Sequence, residues 1–410
     1  DLVDTAVLSN TLPDLILHPL EFSPGWATDG ILNPEAATAV LESLGRETFA
    51  PGALDLVTLP GQSEQIAAVP SDGWQQIWLY RTDWFETLGQ APPASYQEII
   101  SGTAAIYRNP DLSAQSGITA TLISGLVVPT EADLISTQQV FEHLALANGC
   151  ELIDDKGEIL FTEPACYDAL RFYRQLVNSY SPSDVQTDIS ALNAYLAGRT
   201  GLIVTSPSVL PKLAGLDPNF VPTCPQCVAN PTFLAENSGV VTAVSGRSNQ
   251  AQPATFSDLT TLGITTSADP ALAEQFARYW FNDGYLTWLA VEPERKVPLR
   301  RGTAEDPTQF TTAWQALPIG EATSNTTLAD IYGAELVSSL ADNVSQTNRW
   351  GLGTEQGDFT TAVRRKMIFP ILLQEMLSGY FTSDQAVVEA YDRLVALIPD
   401  YAYYKEPVSP

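Results

Sequence analysis

The sequence has little positive charge. Its 410 residues contain 20 Lys and Arg but 48 Asp and Glu, which gives a formal net charge of −28. Nucleic acids and anionic membrane surfaces are bound through basic patches, so this balance argues against both as partners. We interpret the acids as groups that keep an extracytoplasmic protein in solution. A receptor for cations is the alternative interpretation.

Long apolar runs and a targeting segment are also missing. No apolar run reaches the ~18 residues of a membrane-spanning helix. The sequence does not open on a signal peptide, so we expect that any targeting segment has been removed or was never present. Neither observation places the protein in a compartment by itself.

The motifs of common catalytic sites do not occur. Gly-x-Ser-x-Gly, His-Glu-x-x-His and Gly-x-x-x-x-Gly-Lys are all absent. The glycines at 351, 353 and 357 lack the strand-helix-strand setting of a dinucleotide site. With 48 acids, however, some carboxylate pair will lie near any cleft, so a glycoside hydrolase stays an alternative. We predict a protein that is not an enzyme and that needs no cofactor.

Four cysteines fall into two local pairs, Cys150 with Cys166 and Cys224 with Cys227. An even number in local pairs is typical of disulfides in an oxidising compartment. A redox motif would follow a strand at a helix start, whereas prolines surround the Cys-Pro-Gln-Cys segment. Zinc would need further ligands, and the chain has only two histidines. We predict two disulfides, with redox, metal and free-thiol states as the alternatives.

Strand-like runs alternate with helical patterns along the chain. The strand-like runs cover residues 15–17, 77–80, 202–205 and 262–265, and the helical patterns cover 34–44, 137–148, 164–179, 270–281, 365–378 and 384–397. This alternation predicts an α/β fold.

Residues 67–85 contain two apolar runs separated by Gly73 and Trp74. This pattern predicts a segment that crosses from one domain to another, with backbone freedom at Gly73. Trp74 would then offer a flat apolar face in the cleft between the domains, where small-molecule sites are common.

Several further segments carry a family likeness. They are the Pro-Asp strand at 12–18, the helix end at 25–32, the turn, strand and helix at 155–173, and the segments 193–204, 262–281 and 299–302. In this order, over residues 12 to 395, the sequence resembles the family 1 extracellular solute-binding proteins. These are the sugar-binding receptors of ABC importers, the family that includes maltose-binding protein.

The resemblance implies a periplasmic-binding-protein-like fold of type II topology, in which two α/β lobes are joined by a hinge that closes on ligand. Lobe one would hold residues 1–72 and 258–306. Lobe two would hold 76–257 and most of 307–410, including C-terminal helices. The family's opening strand, helix and second strand have no counterpart before residue 12, so we expect the ligand contacts after the first strand to be missing.

The resemblance also implies a set of ligand-binding residues. Aromatic faces contact the C–H face of a sugar, and polar groups pair its hydroxyls. The positions that match are His18 and Glu21 after the Pro-Asp strand, Trp74 and Gln75 at the first crossing, Ser206 and Ser208 after a strand, Asp258 at a later crossing, and Trp350 and Thr360 in the last third. The alternatives are hinge or core packing for the tryptophans, caps or turns for the serines and Asp258, and a satisfied or solvated loop residue for His18 and Glu21.

We therefore expect the substrate-binding protein of an ABC transporter, which captures a neutral sugar, oligosaccharide or polyol between its lobes. The low number of Lys and Arg disfavours an anionic solute. The expected partners are the carbohydrate and the permease subunits, and the expected form is a monomer. Its place would be periplasmic or extracellular, with a lipoprotein anchor as one possibility. A sensor or adaptor with the same fold is a further alternative.

Overall fold

The structure is a computed structural model that describes residues 2–248, 252–320, 324–352 and 356–405. Its strands are β1 (Leu15–Pro19), β2 (Thr58–Leu59), β3 (Gln62–Ile66), β4 (Val69–Gln75), β5 (Ile77–Arg81), β6 (Ser124–Val127), β7 (Thr200–Thr205), β8 (Ser238–Val241), β9 (Ala243–Val244), β10 (Ala254–Thr255), β11 (Ser257–Ile264) and β12 (Val297–Pro298).

Helices account for most of the rest of the regular structure. They are α1 (Leu2–Ser9), α2 (Ser23–Thr28), α3 (Pro34–Leu44), α4 (Pro51–Val57), α5 (Thr82–Thr87), α6 (Tyr96–Ile106), α7 (Pro110–Ser116), α8 (Ile135–Ala147), α9 (Pro164–Tyr180), α10 (Asp188–Leu196), α11 (Leu210–Leu213), α12 (Phe233–Glu236), α13 (Pro270–Asn282), α14 (Tyr285–Leu289), α15 (Gln309–Gln315), α16 (Leu328–Tyr332), α17 (Ala334–Asn343), α18 (Gly357–Arg365), α19 (Ile368–Leu377) and α20 (Ser383–Val395). Within the described ranges, none of them is long and apolar enough to cross a membrane.

Local sequence explains several helix ends. Asn33 accepts a hydrogen bond from the Ala36 N–H, which caps α3 just before Pro34. Thr382 and Gln385 form a reciprocal capping box at the start of α20. The helical pattern predicted over 365–378 is divided in the structure. Met367, with a left-handed φ of 51°, separates α18 from α19.

Two four-stranded sheets organise the chain. The first has the order β1-β11-β4-β12, and the second has the order β6-β7-β5-β8. We call the parts of the molecule built on them lobe one and lobe two. The predicted α/β architecture of two lobes is confirmed.

The lobes are joined where two segments of the chain pass from one lobe to the other. One residue, Gln76, separates β4 of lobe one from β5 of lobe two, and Phe256 separates β10 from β11. The Gln76 N–H donates to the Phe256 carbonyl over 2.8 Å, so these two crossings lie side by side. Gln76 and Phe256 lie close to residues 72 and 257, near which crossings are predicted, and the predicted lobe boundaries stay predictions.

The chain after residue 306 first packs on lobe one. Phe310 and Trp314 of α15 belong to the same buried cluster as Val297 and Leu299, beside the edge of the first sheet. The chain joins the aromatic core of lobe two only at Trp350. Between these segments the Tyr332 hydroxyl donates to the Leu210 carbonyl of lobe two, so the chain contacts both lobes, and the predicted boundary at 306 stays a prediction.

Both predicted disulfides are present and confirmed. Cys150 is bonded to Cys166 in lobe two, between the end of α8 and the start of α9. Cys224 is bonded to Cys227 in a loop that packs near Leu196. All four cysteines are buried, and none of them is a free thiol.

Candidate functional site

A cavity of about 350 Å³ lies between the two lobes, next to the crossing at Gln76. Lobe one supplies Trp74 and Arg295. Lobe two supplies residues of α8, α10 and the end of β7. The full lining is Trp74, Gln76, Leu134, Ile135, Ser136, Gln139, Val140, Asp188, Ile189, Leu192, Val204, Thr205, Ser206, Ser208, Val209, Lys212 and Arg295. Three of the nine predicted ligand residues, Trp74, Ser206 and Ser208, therefore meet in one cavity.

Trp74 is 9% exposed and is held by the geometry of β4. Its neighbour Gly73 leaves room for the adjacent strand, because a Cβ there would lie 2.5 Å from the Leu259 side chain. Close packing, and not the backbone freedom expected from the sequence, is the physical reason for this glycine. The Arg295 guanidinium lies over the indole, 5.6 Å from the ring centroid, and forms the rim of the cavity.

Ser206 and Ser208 follow β7, where the strand ends at the cavity. Their hydroxyls are hydrogen-bonded to each other over 2.8 Å. Ser206 occupies the position before a short 3-10 turn but makes no side-chain capping bond. The Lys212 ammonium donates to the Ser208 carbonyl, which fixes this loop. The two hydroxyls keep further hydrogen-bonding capacity for a ligand.

Asp258 lies beside the cavity and contacts it through Gln139. The Gln139 amide donates to Asp258 Oδ2 over 3.0 Å, while Oδ1 is buried with no hydrogen-bond partner among the described residues. Burial, followed by the nearby Glu21 carboxylate, raises the pKa of Asp258 to about 7. Oδ1 lies 3.9 Å from the Arg349 guanidinium, and Asp258 is not among the residues that line the cavity.

Glu21 does not line the cavity and belongs to a buried network around Arg349. The Arg349 guanidinium is hydrogen-bonded to Glu21, and it donates to Glu142 over 3.0 Å. It also donates to the Ser257 carbonyl at the crossing. Burial acts to raise the pKa of Glu21, but the Arg349 charge holds it below its usual value. Because Glu21 belongs to lobe one and Glu142 to lobe two, Arg349 ties the lobes together beneath the ligand cavity.

His18 is placed in packing and not in the cavity, contrary to its predicted role. Its ring lies 4.8 Å from that of Trp26 and is 3.2 Å from the Thr261 hydroxyl, and the residue is 3% exposed. Burial lowers the pKa of His18 to about 4, so the imidazole is neutral under ordinary conditions.

Trp350 is a core residue in the structure. Its indole N–H donates to the Cys150 carbonyl, and its ring is enclosed by Phe141, Phe161 and Phe369. With 2% of the residue exposed, no ring face is open for a sugar. The prediction that Trp350 stacks on ligand is therefore not supported by its position.

Thr360 and Gln75 are also turned away from the cavity lining. The Thr360 hydroxyl donates to the carbonyls of Trp350 and Gln356, which holds the start of α18. Gln75 is fully buried, and neither of its amide atoms has a partner among the described residues. Neither residue lines the cavity that contains Trp74.

Several residues that line the cavity were not predicted from the sequence. They are Gln76, Ser136, Gln139, Asp188, Lys212 and Arg295. Gln76 directly follows Trp74 and Gln75, which were predicted to bind the ligand, so its place in the sequence could have indicated it. The others lie on α8, α10, α11 and a 3-10 turn, far from Trp74 in sequence. Among the described residues, no group of three or more His, Cys, Asp and Glu side chains is arranged to hold a metal ion.

Comparisons with known proteins agree with this architecture. No family model matches the chain. The chain is 24% identical over 368 residues to YcjN of Escherichia coli (strain K12), provisionally named an ABC transporter periplasmic-binding protein, with 84% of this chain and 77% of YcjN covered.

Solved structures share the fold over nearly the whole chain. T. maritima MalE3 with bound maltose has a TM-score of 0.69 at 18% identity and covers 97% of this chain and 88% of its own. The GacH receptor of Streptomyces glaucescens GLA.O, solved unliganded and with acarbose, has a TM-score of 0.68 at 16% identity, with coverages of 97% and 87%. An Agrobacterium vitis S4 solute-binding protein with D-mannitol has a TM-score of 0.64 at 16% identity, with coverages of 98% and 89%. At these identities the likeness establishes the two-lobed solute-binding-protein fold.

Proposed function

We propose that this protein is the substrate-binding component of an ABC transporter and that it captures a neutral sugar, oligosaccharide or polyol between its lobes. The observation that carries this proposal is the interlobe cavity, which Trp74 of lobe one lines together with Gln139, Ser206 and Ser208 of lobe two. The solved structures that share the fold were obtained with bound maltose, in complex with acarbose and with bound D-mannitol, which supports the same ligand class.

The chemistry of the cavity suits such a ligand. Trp74 offers apolar contact to the C–H face of a sugar. Ser206, Ser208 and Gln139 offer donors and acceptors that can pair its hydroxyls. A ligand that touches Trp74 of lobe one and Ser206 of lobe two favours the closed arrangement of the lobes.

The setting follows from this function. The protein would act in the periplasm or at the cell exterior and would pass its ligand to the permease subunits of the transporter. Two buried disulfides are consistent with an oxidising compartment. A monomeric state and a lipoprotein anchor remain predictions.

A thermal-shift screen against maltose, maltotriose, mannitol, ribitol and tagatose tests the proposal. A ligand present at 100 times its Kd should add ~2.7 kcal/mol to the free energy of unfolding and raise the melting temperature. The same ligand should reduce the radius of gyration in small-angle scattering as the lobes close. A chain that melts at one temperature with every sugar and polyol would contradict the proposal.

One observation favours a second candidate, a glycoside hydrolase. Asp258, with a pKa raised to about 7, lies beside a cavity that Asp188 also lines, and perturbed carboxyls occur at catalytic sites. Turnover of a chromogenic glycoside separates the two functions. Recovery of the bound sugar unaltered after prolonged incubation is the result expected for a binding protein.

A further inference from the structure

Lobe two contains a second and larger cavity, of about 980 Å³, that is separate from the interlobe cavity. It lies between the end of α9, the loop at residues 181–186 and α10. No residue of the interlobe lining occurs in its lining. Its volume is near the upper end of the ~300–1,000 Å³ of ligand pockets, so it could hold several sugar units.

Two arginines, Arg108 and Arg199, line this cavity. The Arg108 N–H donates to the Ile123 carbonyl, and the Arg199 carbonyl accepts from the Ser124 N–H. Their backbones are therefore attached to neighbouring residues at the start of β6. Arg108 also has a left-handed φ of 54°, a conformation that costs free energy in a residue other than glycine.

Neither guanidinium has a carboxylate partner among the described residues. Arg108 contacts the ring of Tyr107, 5.0 Å from its centroid, and Arg199 forms no side-chain bond to the described chain. Other arginines of the described chain are ion-paired, among them Arg81, Arg171, Arg349, Arg365 and Arg393. The side chains are available for an external anion.

A neighbouring groove extends the positive surface. This groove of about 400 Å³ shares Asn178 with the larger cavity and is lined by Arg171 and Arg174. Arg171 is paired with Asp384, whereas Arg174 Nε is buried with no partner among the described residues. The Ser181 hydroxyl, on the wall of the larger cavity, is likewise buried with no partner in the described chain.

We propose that the larger cavity, lined by Arg108 and Arg199, and the adjoining groove at Arg174 together form a second binding site that takes a carboxylate-bearing oligosaccharide. Guanidinium groups bind carboxylates through paired hydrogen bonds. The remaining lining is rich in Ser, Thr, Asn and Gln, whose side chains pair with sugar hydroxyls. The composition of the whole chain disfavours anionic ligands, but the larger cavity is lined by two arginines and by one acid, Asp184.

Titration calorimetry with trigalacturonate, at low and at raised salt, tests this site. We expect binding that weakens as salt screens the charges, and that survives the change Trp74→Ala in the interlobe cavity. Maltotriose, which has no carboxylate, should not bind to this second site in the Trp74→Ala protein. Because the interlobe cavity is altered in these experiments, failure of this site and failure of the proposed transport function give different results.

The matched variants are Arg108→Gln with Arg199→Gln, and the control pair Arg278→Gln with Arg301→Gln on lobe one. Both pairs remove two positive charges. The first pair should weaken trigalacturonate binding by about tenfold for each arginine, and the control pair should leave it within about twofold. Equal weakening by both pairs, no trigalacturonate binding to the wild type, or equal binding of a triglutamate peptide would overturn the proposal.

Discussion

Asp258 lies directly opposite Trp74 on the neighbouring antiparallel strand of the first sheet. Residues opposed in this way have side chains on the same face of the sheet, so the carboxyl and the indole share the side that faces lobe two. Gln139 of lobe two joins Asp258 from the cavity, and Arg349 lies 3.9 Å from its other oxygen. Asp258 therefore lies between Trp74, which lines the cavity, and the buried Arg349 network that connects the lobes.

Replacing Trp74 should weaken sugar binding, whereas replacing Trp350 should lower the folding stability. Trp74→Ala should reduce sugar affinity by about tenfold to a hundredfold, since it removes the apolar face of the cavity. Trp350→Ala should cost ~3–5 kcal/mol of folding stability, because it empties space between three phenylalanines. Calorimetric affinity and denaturant unfolding on each variant are the measurements. A Trp74→Ala protein that melts much lower yet binds normally would contradict the assignment of Trp74 to the site.

The change Arg349→Met should be strongly destabilising. It leaves Glu21 and Glu142 as buried carboxylates without their counter-charge, at a cost of ~3–5 kcal/mol. Arg365→Met is the matched control, because Arg365 pairs with Asp4 and Asp29 at the surface, where such pairs contribute ~0–1 kcal/mol. Urea unfolding compares the two. Equal stabilities of the two variants would show that the network does not hold the lobes.

Protonation of Asp258 should make stability depend on pH. Its pKa is about 7 in the folded protein against 3.8 for an ordinary aspartate, so the folded state binds the proton more tightly. This group's contribution to stability is therefore lost as the pH rises from about 4 to about 7.

The change Asp258→Asn removes this contribution. The two buried histidines give the wild type a pH dependence of the opposite sign. Burial lowers the pKa of His18 and of His143 to about 4, so their contribution to stability is lost as the pH falls below 6.5. We therefore compare the variant with the wild type at each pH. The variant should gain stability relative to the wild type on going from pH 5 to pH 8. A difference that is the same at both pH values would contradict the raised pKa.

Removing the Cys150–Cys166 disulfide should destabilise lobe two. The bond joins residues 16 apart, and closing such a loop contributes ~3 kcal/mol by restricting the unfolded chain. The double change Cys150→Ser with Cys166→Ser should lower the melting temperature more than the corresponding change at Cys224 and Cys227, which are three residues apart. Equal melting temperatures of the two double variants would contradict this account.

Local patterns explain what could be predicted from the sequence. The alternation of apolar runs with helical patterns predicted the α/β fold. Gly73 and Trp74 were expected to interrupt the strand, but both lie inside β4, and the crossing falls at Gln76. The cysteine pairs were predictable because each disulfide is local. The position of α3 was predictable because a cap and a proline begin it.

The rest of the site depends on contacts between distant segments. Trp350 stands in a Gly-rich loop, which favoured an exposed position, but Phe141, Phe161 and Phe369 enclose it. His18 follows the Pro-Asp strand at a suitable place in sequence, yet Trp26 and Thr261 occupy its surroundings. No local pattern indicates these partners.

The most direct test of the central claim is fluorine NMR of the protein labelled with 5-fluorotryptophan, titrated with a sugar that stabilises it. The chain has eight tryptophans, and Trp74→Phe and Trp350→Phe variants assign the two resonances. We predict that the Trp74 resonance shifts saturably with the affinity measured by calorimetry while the Trp350 resonance stays in place. A saturable shift at Trp350 with none at Trp74 would contradict the placement of the sugar in the cavity between the lobes.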